Sequence, residues 1–195
     1  QLAEVPLPDS SVVTVRKNKP PLTSMMIVDD SETGDVDGDG VAELVLCGNS
    51  GRSSIVKYVD GIYRVVYSTE VAINPSASAS FVQSCSVGDV TNDEVADFFD
   101  SSAAGFRVFS HRNGNYEMIW ASGPYSSANT GVGTTSVGDS DGDGRLEFFG
   151  TLGGYSPPMP AGIFESDDSP AASFDKTFEF WSPTYSATIM AGRID

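Results

Sequence analysis

Three acidic segments of this chain align without gaps, and this repetition constrains the fold more than any other feature of the sequence. Residues 34–44 read GDVDGDGVAEL, residues 88–98 read GDVTNDEVADF and residues 138–148 read GDSDGDGRLEF. Their first aspartates, Asp35, Asp89 and Asp139, stand 54 and 50 residues apart, a spacing typical of one unit in a repeat protein. A further interval of 54 residues leads to Arg193, which we interpret as the start of a truncated fourth copy.

The sequence around each acidic segment has the pattern of β-strands. Short alternating segments precede the second, third and fourth copies, at residues 81–87, 133–137 and 186–190. Short apolar runs follow the first three copies, at residues 44–46, 98–99 and 148–149. Continuous apolar runs of this length are typical of strands that are covered on both faces. Each acidic segment is therefore predicted to be a loop between two strands.

A hairpin signature follows each of these strand pairs. Asp60-Gly61 separates residues 55–59 from 62–67, and Asn113-Gly114 separates residues 106–111 from 116–120. Such dipeptides favour the positive φ angles of tight turns. The third copy has a longer connection before its last strand, with the connection at residues 165–173 and the strand at 174–181. We therefore predict an all-β protein whose units have four antiparallel strands, as in the blades of a β-propeller.

The predicted organisation is an N-terminal segment, residues 1–24, followed by a repeat array, residues 25–195. The N-terminal segment carries a candidate closing strand at residues 11–16. Three full units plus partial ones are fewer than the 4 to 8 blades of a typical closed propeller. Three arrangements stay open: a fragment of a longer chain, an unusually small propeller, and an open array completed by a neighbour.

The carboxylates of the loops occur at spacings that favour a cation site. The first and third loops carry them at positions 1, 3, 5 and 9: Asp35, Asp37, Asp39 and Glu43, then Asp139, Asp141, Asp143 and Glu147. Because alternate side chains of a tightly curled loop converge, these charges repel by a few kcal/mol per pair at about 4 Å unless a cation lies among them. A hard divalent ion with oxygen ligands satisfies this need, and calcium suits a flexible loop better than magnesium.

Glycine at position 6 of these two loops, Gly40 and Gly144, permits a sharp turn that directs the position 7 carbonyls of Val41 and Arg145 inward. The second loop keeps fewer of these features, and we expect weaker calcium binding there. Its candidate ligands are Asp89, Thr91, Asp93, Val95 and Asp97. An EF-hand is excluded because position 12 lacks the glutamate, being Leu46 and Gly150, and because the flanks have strand patterns.

The pattern GDxDGDGxxE followed by an apolar pair, repeated at this spacing, resembles the FG-GAP or VCBS repeat of integrin α-subunit-type propellers. The resemblance covers about residues 25–195. It implies a calcium ion between the first two strands of each blade, and a role in adhesion, ligand binding or carbohydrate recognition. The departures are Thr91 and Glu94 in the second loop, Arg193 in the fourth, and glutamate at position 9 of loops one and three, where integrins more often have aspartate.

Composition narrows the classes of partner. Acidic residues number 27 and basic residues 11, so the net charge is −16 and the surface repels nucleic acid and anionic membranes. No apolar run approaches the roughly 18 residues of a membrane span, and we expect none. The chain opens Gln-Leu-Ala-Glu without the pattern of a signal peptide, so we expect that a secreted form has already lost its signal. Cys47 and Cys85 form either a disulfide or two buried thiols.

We expect no catalytic residues. His111, the single histidine, precedes a hairpin turn, and no nucleophile elbow or phosphate loop occurs. Tyr125 and Tyr155 lie in irregular segments and are weak candidates for ligand contact. The leading hypothesis is a non-catalytic, calcium-binding extracellular module for an adhesion or glycan ligand. The alternatives are a subunit of an extracellular filament or surface layer, associating through open blade edges, and a propeller domain of a polysaccharide-active enzyme.

Overall fold

The computed structural model describes residues 28–48, 52–69, 82–102, 105–122, 135–151, 159–166 and 174–182. Within these ranges the chain forms twelve β-strands and no helix. The strands make three antiparallel sheets of four strands, and in each sheet the strands pair in the order of the chain. The predicted all-β class and the four-stranded antiparallel units are therefore confirmed for this part of the chain.

The strands of the first sheet are β1 (Val28–Gly34), β2 (Glu43–Gly48), β3 (Arg52–Val59) and β4 (Ile62–Ser68). The strands of the second sheet are β5 (Val82–Gly88), β6 (Asp97–Ser102), β7 (Gly105–Arg112) and β8 (Asn115–Ala121). The strands of the third sheet are β9 (Thr135–Gly138), β10 (Glu147–Thr151), β11 (Met159–Ser166) and β12 (Phe174–Ser182).

The three sheets share one pairing register. Leu44 lies opposite Val56 in the first sheet, Phe98 opposite Phe109 in the second, and Phe148 opposite Phe164 in the third. The two predicted tight hairpins are also present, because Asp60 and Asn113 both have a φ of 52° and each precedes a glycine with positive φ. Both central turn residues thus have positive φ, which matches the right-handed twist of the strands they join.

The first strands of the sheets lie side by side, β1 against β5 and β5 against β9. Gly88 at the end of β5 shows how close this approach is, since a Cβ atom there would stand 2.9 Å from a methyl carbon of Val137 in β9. Side-chain hydroxyls add further links between neighbouring sheets, as Ser84 and Ser86 both contact the hydroxyl of Thr135 at 3.0–3.1 Å. The sheets therefore share one line of contact along their first strands.

Two apolar clusters fill the spaces between neighbouring sheets, and β6 contributes to both. Because successive side chains of a strand point to opposite faces, Phe98 packs toward the first sheet and Phe99 toward the third. Phe98 stacks on Phe109 and Phe148 stacks on Phe164, each with ring centroids 4.7 Å apart. The prediction that the apolar runs after the loops are covered on both faces is confirmed for β6, where Asp97 to Ser101 are all buried.

A disulfide and a buried hydrogen bond tie the first sheet to the second. Cys47 of β2 and Cys85 of β5 form a disulfide with Cα atoms 6.0 Å apart, which decides between the two states left open by the sequence. Buried Asp100 of β6 accepts two hydrogen bonds from Arg107, at 2.6 and 2.8 Å, and one from Ser53 of β3 at 2.6 Å. The charge of Asp100 is thus fully partnered inside the protein, as a buried carboxylate requires.

Three sequence predictions lie outside the described residues: the closing strand at residues 11–16, the strand at 186–190, and the fourth copy at Arg193. No helix long and apolar enough to cross a membrane occurs in the part of the chain that the structure describes.

Candidate metal centre

Each acidic loop connects the first strand of its sheet to the second, so the three loops occupy equivalent places. Loop 1 (residues 35–42) joins β1 to β2, loop 2 (residues 89–96) joins β5 to β6, and loop 3 (residues 139–146) joins β9 to β10. The position 9 carboxylates are the first residues of the second strands, which anchors them in the sheets.

The first aspartate of each loop shapes the turn through the backbone. In loop 1, Asp35 accepts hydrogen bonds from the amides of Gly38 and Gly40 at 2.8 and 2.7 Å. Asp139 accepts the equivalent bonds in loop 3 at 2.6 and 3.0 Å, and Asp89 binds two loop amides in the same way. These bonds curl the chain tightly around the position 1 carboxylate.

The aspartate at position 5 makes a second turn in every loop. Its Oδ1 accepts a hydrogen bond from the position 7 amide, with Asp39, Asp93 and Asp143 bonding at 3.0, 3.1 and 2.9 Å respectively. These bonds place the amides of Val41, Val95 and Arg145. The inward direction of the position 7 carbonyls stays a prediction.

The position 9 carboxylate gives the clearest sign of a cation site. Glu43, Asp97 and Glu147 are only 1%, 0% and 2% exposed. One oxygen of each accepts a hydrogen bond from the position 2 amide, at 3.2 Å for Glu43, 3.1 Å for Asp97 and 2.6 Å for Glu147. The other oxygen of each is buried and makes no hydrogen bond, although that of Glu43 lies 3.4 Å from the ammonium group of Lys57 on β3. Because buried polar atoms in proteins almost always have partners, the orphan oxygens of Asp97 and Glu147 need an explanation, and a bound cation provides one.

Burial changes the acidity of two of these carboxylates, Asp97 and Glu43. Burial raises the pKa of Asp97 to about 6, and hydrogen bonds from neighbours such as Thr91 offset this only partly. Burial raises the pKa of Glu43 as well, and the nearby charge of Asp37 raises it further. In both cases burial disfavours the bare negative charge. The ammonium group of Lys57 already relieves part of this cost for Glu43, and a cation beside the orphan oxygen of Asp97 would relieve it there.

Loop 3 brings its four predicted acidic ligands together. Asp139, Asp141, Asp143 and Glu147 each offer an oxygen, and these atoms lie within 4.8 Å of one another. The three aspartates are exposed and Glu147 is buried, so the cluster is open to solvent on one side. The residues present therefore fit a hard cation such as calcium, which takes 6 to 8 oxygen ligands at 2.3–2.6 Å.

Loop 1 brings together Asp35, Asp37 and Asp39, while Glu43 is not part of that close group. A basic side chain that the sequence analysis did not select lies among these carboxylates. The Nζ atom of Lys57, on β3, lies 2.5 Å from Asp37, 2.6 Å from Asp39 and 3.4 Å from Glu43. Aligning the copies on their hairpin turns would have drawn attention to it, since Lys57 stands three residues before Asp60 just as Ser110 stands three before Asn113.

Loop 2 is closed by its own hydrogen bonds. The hydroxyl of Thr91 donates to the Oδ2 atom of Asp97 at 2.9 Å. Asn92 and Glu94 have φ angles of 58° and 71°, a conformation that costs free energy for residues other than glycine. Among the described residues, those of loop 2 do not form a close group of three or more metal-ligating side chains. These features agree with the weaker binding expected there, which stays a prediction.

One further group near loop 1 belongs to the second sheet. The hydroxyl of Tyr116 on β8 is buried without a hydrogen-bond partner, and its ring packs 5.0 Å from that of Tyr67. Burial raises the pKa of Tyr116, and the charges of Asp37 and Glu43 raise it further. The charges of loop 1 therefore affect the acidity of a residue in the neighbouring sheet, which the sequence did not indicate.

Of the other side chains, those of His111 and Trp120 take part in packing, and the two weak ligand candidates lie outside the described residues. The ring of His111 is half-buried and lies 4.8 Å from the ring of Tyr116, and Trp120 packs among Phe148, Phe164 and Phe174. The weak ligand candidates Tyr125 and Tyr155 lie outside the described residues.

No protein-family model matches this sequence, and no curated protein shows significant similarity to it. The resemblance to FG-GAP repeats therefore rests on the loop sequences themselves.

Proposed function

We propose that this protein is a calcium-binding, extracellular module of β-propeller type that binds a protein or glycan ligand without catalysis. The observation that carries the calcium proposal is loop 3, where a buried glutamate has an orphan oxygen and its carboxylate lies within 4.8 Å of three aspartate carboxylates. Asp139, Asp141, Asp143 and Glu147 would hold the ion, which supplies the positive charge that these four carboxylates need. Loop 2 is the weaker site, with Asp89, Asp93 and Asp97 as its acidic ligands.

The propeller proposal is supported by the way the sheets meet. Each sheet has four antiparallel strands in chain order, and the first strands of the sheets lie next to one another. Radial repetition of such sheets around a shared line is the principle of a propeller. The extracellular location is supported by the Cys47–Cys85 disulfide, a bond that persists in oxidising compartments.

A binding role is supported by an exposed apolar surface on β4, the last strand of the first sheet. Ile62, Tyr63, Val65 and Val66 are each 45–64% exposed. Because successive side chains of a strand point to opposite faces, both faces of β4 expose apolar area, and such area is a feature of sites that contact another molecule. The same surface lies on an edge strand, which also favours the second candidate role, self-association into a filament. Light scattering over a range of protein concentrations separates the two, because only the filament grows with concentration.

The calcium proposal is tested by thermal unfolding in chelator, calcium and magnesium. With free calcium at about 100 times Kd, one occupied site stabilises the fold by about 2.7 kcal/mol. For a chain of 195 residues this corresponds to a rise of about 5–10 °C in melting temperature. We expect chelator to remove this rise, calcium to restore it and magnesium to restore little of it.

The matched variants for this experiment are Asp141→Asn, which changes a loop 3 ligand, and Glu117→Gln, which removes one charge from exposed β8. Calcium should stabilise the Glu117→Gln variant as it does the wild type and should stabilise Asp141→Asn much less. Equal melting temperatures of the wild type in chelator and in calcium would contradict the proposal.

A further inference from the structure

The ammonium group of Lys57 lies where a cation would be expected in loop 1. It makes ion pairs with the carboxylates at positions 3, 5 and 9, which are Asp37, Asp39 and Glu43. The side chain of Lys57 is 16% exposed, so its charge is held among the carboxylates rather than extended into solvent. Asp35, the remaining acidic residue, is bonded to loop amides instead.

The common register of the sheets identifies the residues that stand in the place of Lys57 in the other two sheets. Val56, Phe109 and Phe164 occupy equivalent pairing positions, so Lys57, Ser110 and Glu165 follow them as equivalents. Only the first of these three side chains is a cation. In the third sheet the equivalent position carries a carboxylate, whose Oε1 lies 3.8 Å from Arg145.

Loops 1 and 3 therefore have the same acidic residues at positions 1, 3, 5 and 9 but opposite charges at the β3 and β11 position facing them. In loop 3 all four carboxylates form one close group, whereas in loop 1 Glu43 is outside the group and Lys57 lies between it and the aspartates. Two cations cannot share so small a space at low cost, because like charges at contact distances repel.

Resting on the proposed calcium function, we infer that Lys57 is a tethered cation that replaces the divalent ion in loop 1 and so determines which loop binds calcium. Loop 1 keeps its shape through the lysine and does not depend on calcium. Loop 3, which lacks such a lysine, takes the ion. Lys57 is in this sense a specificity-determining residue for the metal sites of the chain.

The test is calcium binding by the whole chain, measured by isothermal titration with four variants. Lys57→Met keeps a side chain of similar length but removes the charge, and Lys57→Arg keeps the charge. Arg64→Met is the matched control, because Arg64 is the cross-strand neighbour of Lys57 in β4 and is exposed. Asp141→Asn impairs loop 3, so that binding at loop 1 is seen separately.

We expect Lys57→Met to bind one more calcium ion per chain than the wild type, and Lys57→Arg and Arg64→Met to bind the same number as the wild type. In the Asp141→Asn background, Lys57→Met should increase affinity by roughly 10- to 100-fold, since the ion no longer displaces several ion pairs. A second readout is thermal unfolding in chelator, where Lys57→Met should melt at a lower temperature than the wild type and recover on addition of calcium.

Failure of this inference is distinguishable from failure of the calcium proposal. If the wild type binds at loop 3 and Lys57→Met adds no ion, the inference is overturned and the calcium proposal stands. If the wild type already binds calcium at loop 1, shown by binding that survives Asp141→Asn and is lost in Asp37→Asn, the inference is again overturned. If the wild type binds no calcium but Lys57→Met binds one ion, Lys57 does replace an ion in loop 1, and the assignment of calcium to loop 3 is overturned. If neither protein binds calcium, both are overturned.

Discussion

Replacing Glu147 by Gln should change stability in opposite directions in the absence and in the presence of calcium. Glu147 is 2% exposed, and its Oε1 atom has no hydrogen-bond partner. Its Oε2 accepts the Ser140 amide at 2.6 Å, a bond that the carbonyl oxygen of glutamine can also accept. The substitution therefore removes the charge while keeping the size of the side chain and its bond to the loop.

The magnitude follows from the distances in the cluster. Two unit charges 4.8 Å apart repel by about 3.5 kcal/mol at an effective dielectric constant near 20. Because the three aspartates are exposed, solvent and salt screen this repulsion, and we expect a net gain of about 1 kcal/mol in chelator. In calcium the wild type gains about 2.7 kcal/mol at 100 times Kd, most of which the variant loses. The variant should then be about 1–2 kcal/mol less stable than the wild type.

Urea denaturation followed by tryptophan fluorescence measures both effects. Trp120 is a suitable probe because its ring lies 5.7 Å from Phe148 and 5.6 Å from Phe164, next to β10 where Glu147 begins the strand. Glu117→Gln serves as the control and should change stability little under either condition. If Glu147→Gln is destabilised by the same amount in chelator and in calcium, the charge of Glu147 is not what matters and the reasoning about loop 3 is refuted.

Two further predictions concern the disulfide between the first and second sheets and the buried ion pair of the second sheet. Replacing Cys47 and Cys85 together by Ala should lower the free energy of unfolding by about 4 kcal/mol, because the disulfide closes a loop of 38 residues. Urea denaturation of the wild type and the variant, with and without reductant, checks this. A wild type whose free energy of unfolding is the same with and without reductant would contradict it. Replacing Arg107 by Met should destabilise the protein by about 3–5 kcal/mol, since Asp100 stays buried with its charge unpaired. The double variant Asp100→Asn with Arg107→Met should recover part of that loss in the same assay, and a double variant that is no more stable than Arg107→Met would count against the ion-pair explanation.

Much of the local structure follows from short stretches of sequence. The Asp60-Gly61 and Asn113-Gly114 turns form as expected, because few residue pairs accept positive φ at both central turn positions. The strand boundaries differ from the predicted ones by only a few residues, as in β8, which runs from Asn115 to Ala121 rather than over residues 116–120. Alternation and turn chemistry act over a few residues, so the sequence reports them directly.

Some features of the acidic loops depend only on nearby residues, and others depend on the tertiary structure. The curling of the chain around Asp35 and Asp139 depends on amides three to five residues away, and the residue spacing alone predicts it. The role of Lys57 depends on β3 returning beside β2 in a particular register, which places its ammonium group 18 to 20 residues away in sequence from the aspartates that it contacts. No pattern within the loop itself contains that information.

The sequence by itself determined the all-β class, the four-strand unit and the three acidic loops, because hydrophobic alternation, turn dipeptides and carboxylate spacing are properties of neighbouring residues. Only the tertiary structure decided that Cys47 pairs with Cys85, that Asp100 pairs with Arg107 and accepts a hydrogen bond from Ser53, and that Lys57 enters loop 1 while loop 3 keeps its four carboxylates together. Each of these depends on which strands and sheets become neighbours. The packing of whole strands and sheets determines which of them are neighbours. This packing brings charges and thiols that are distant in sequence into contact.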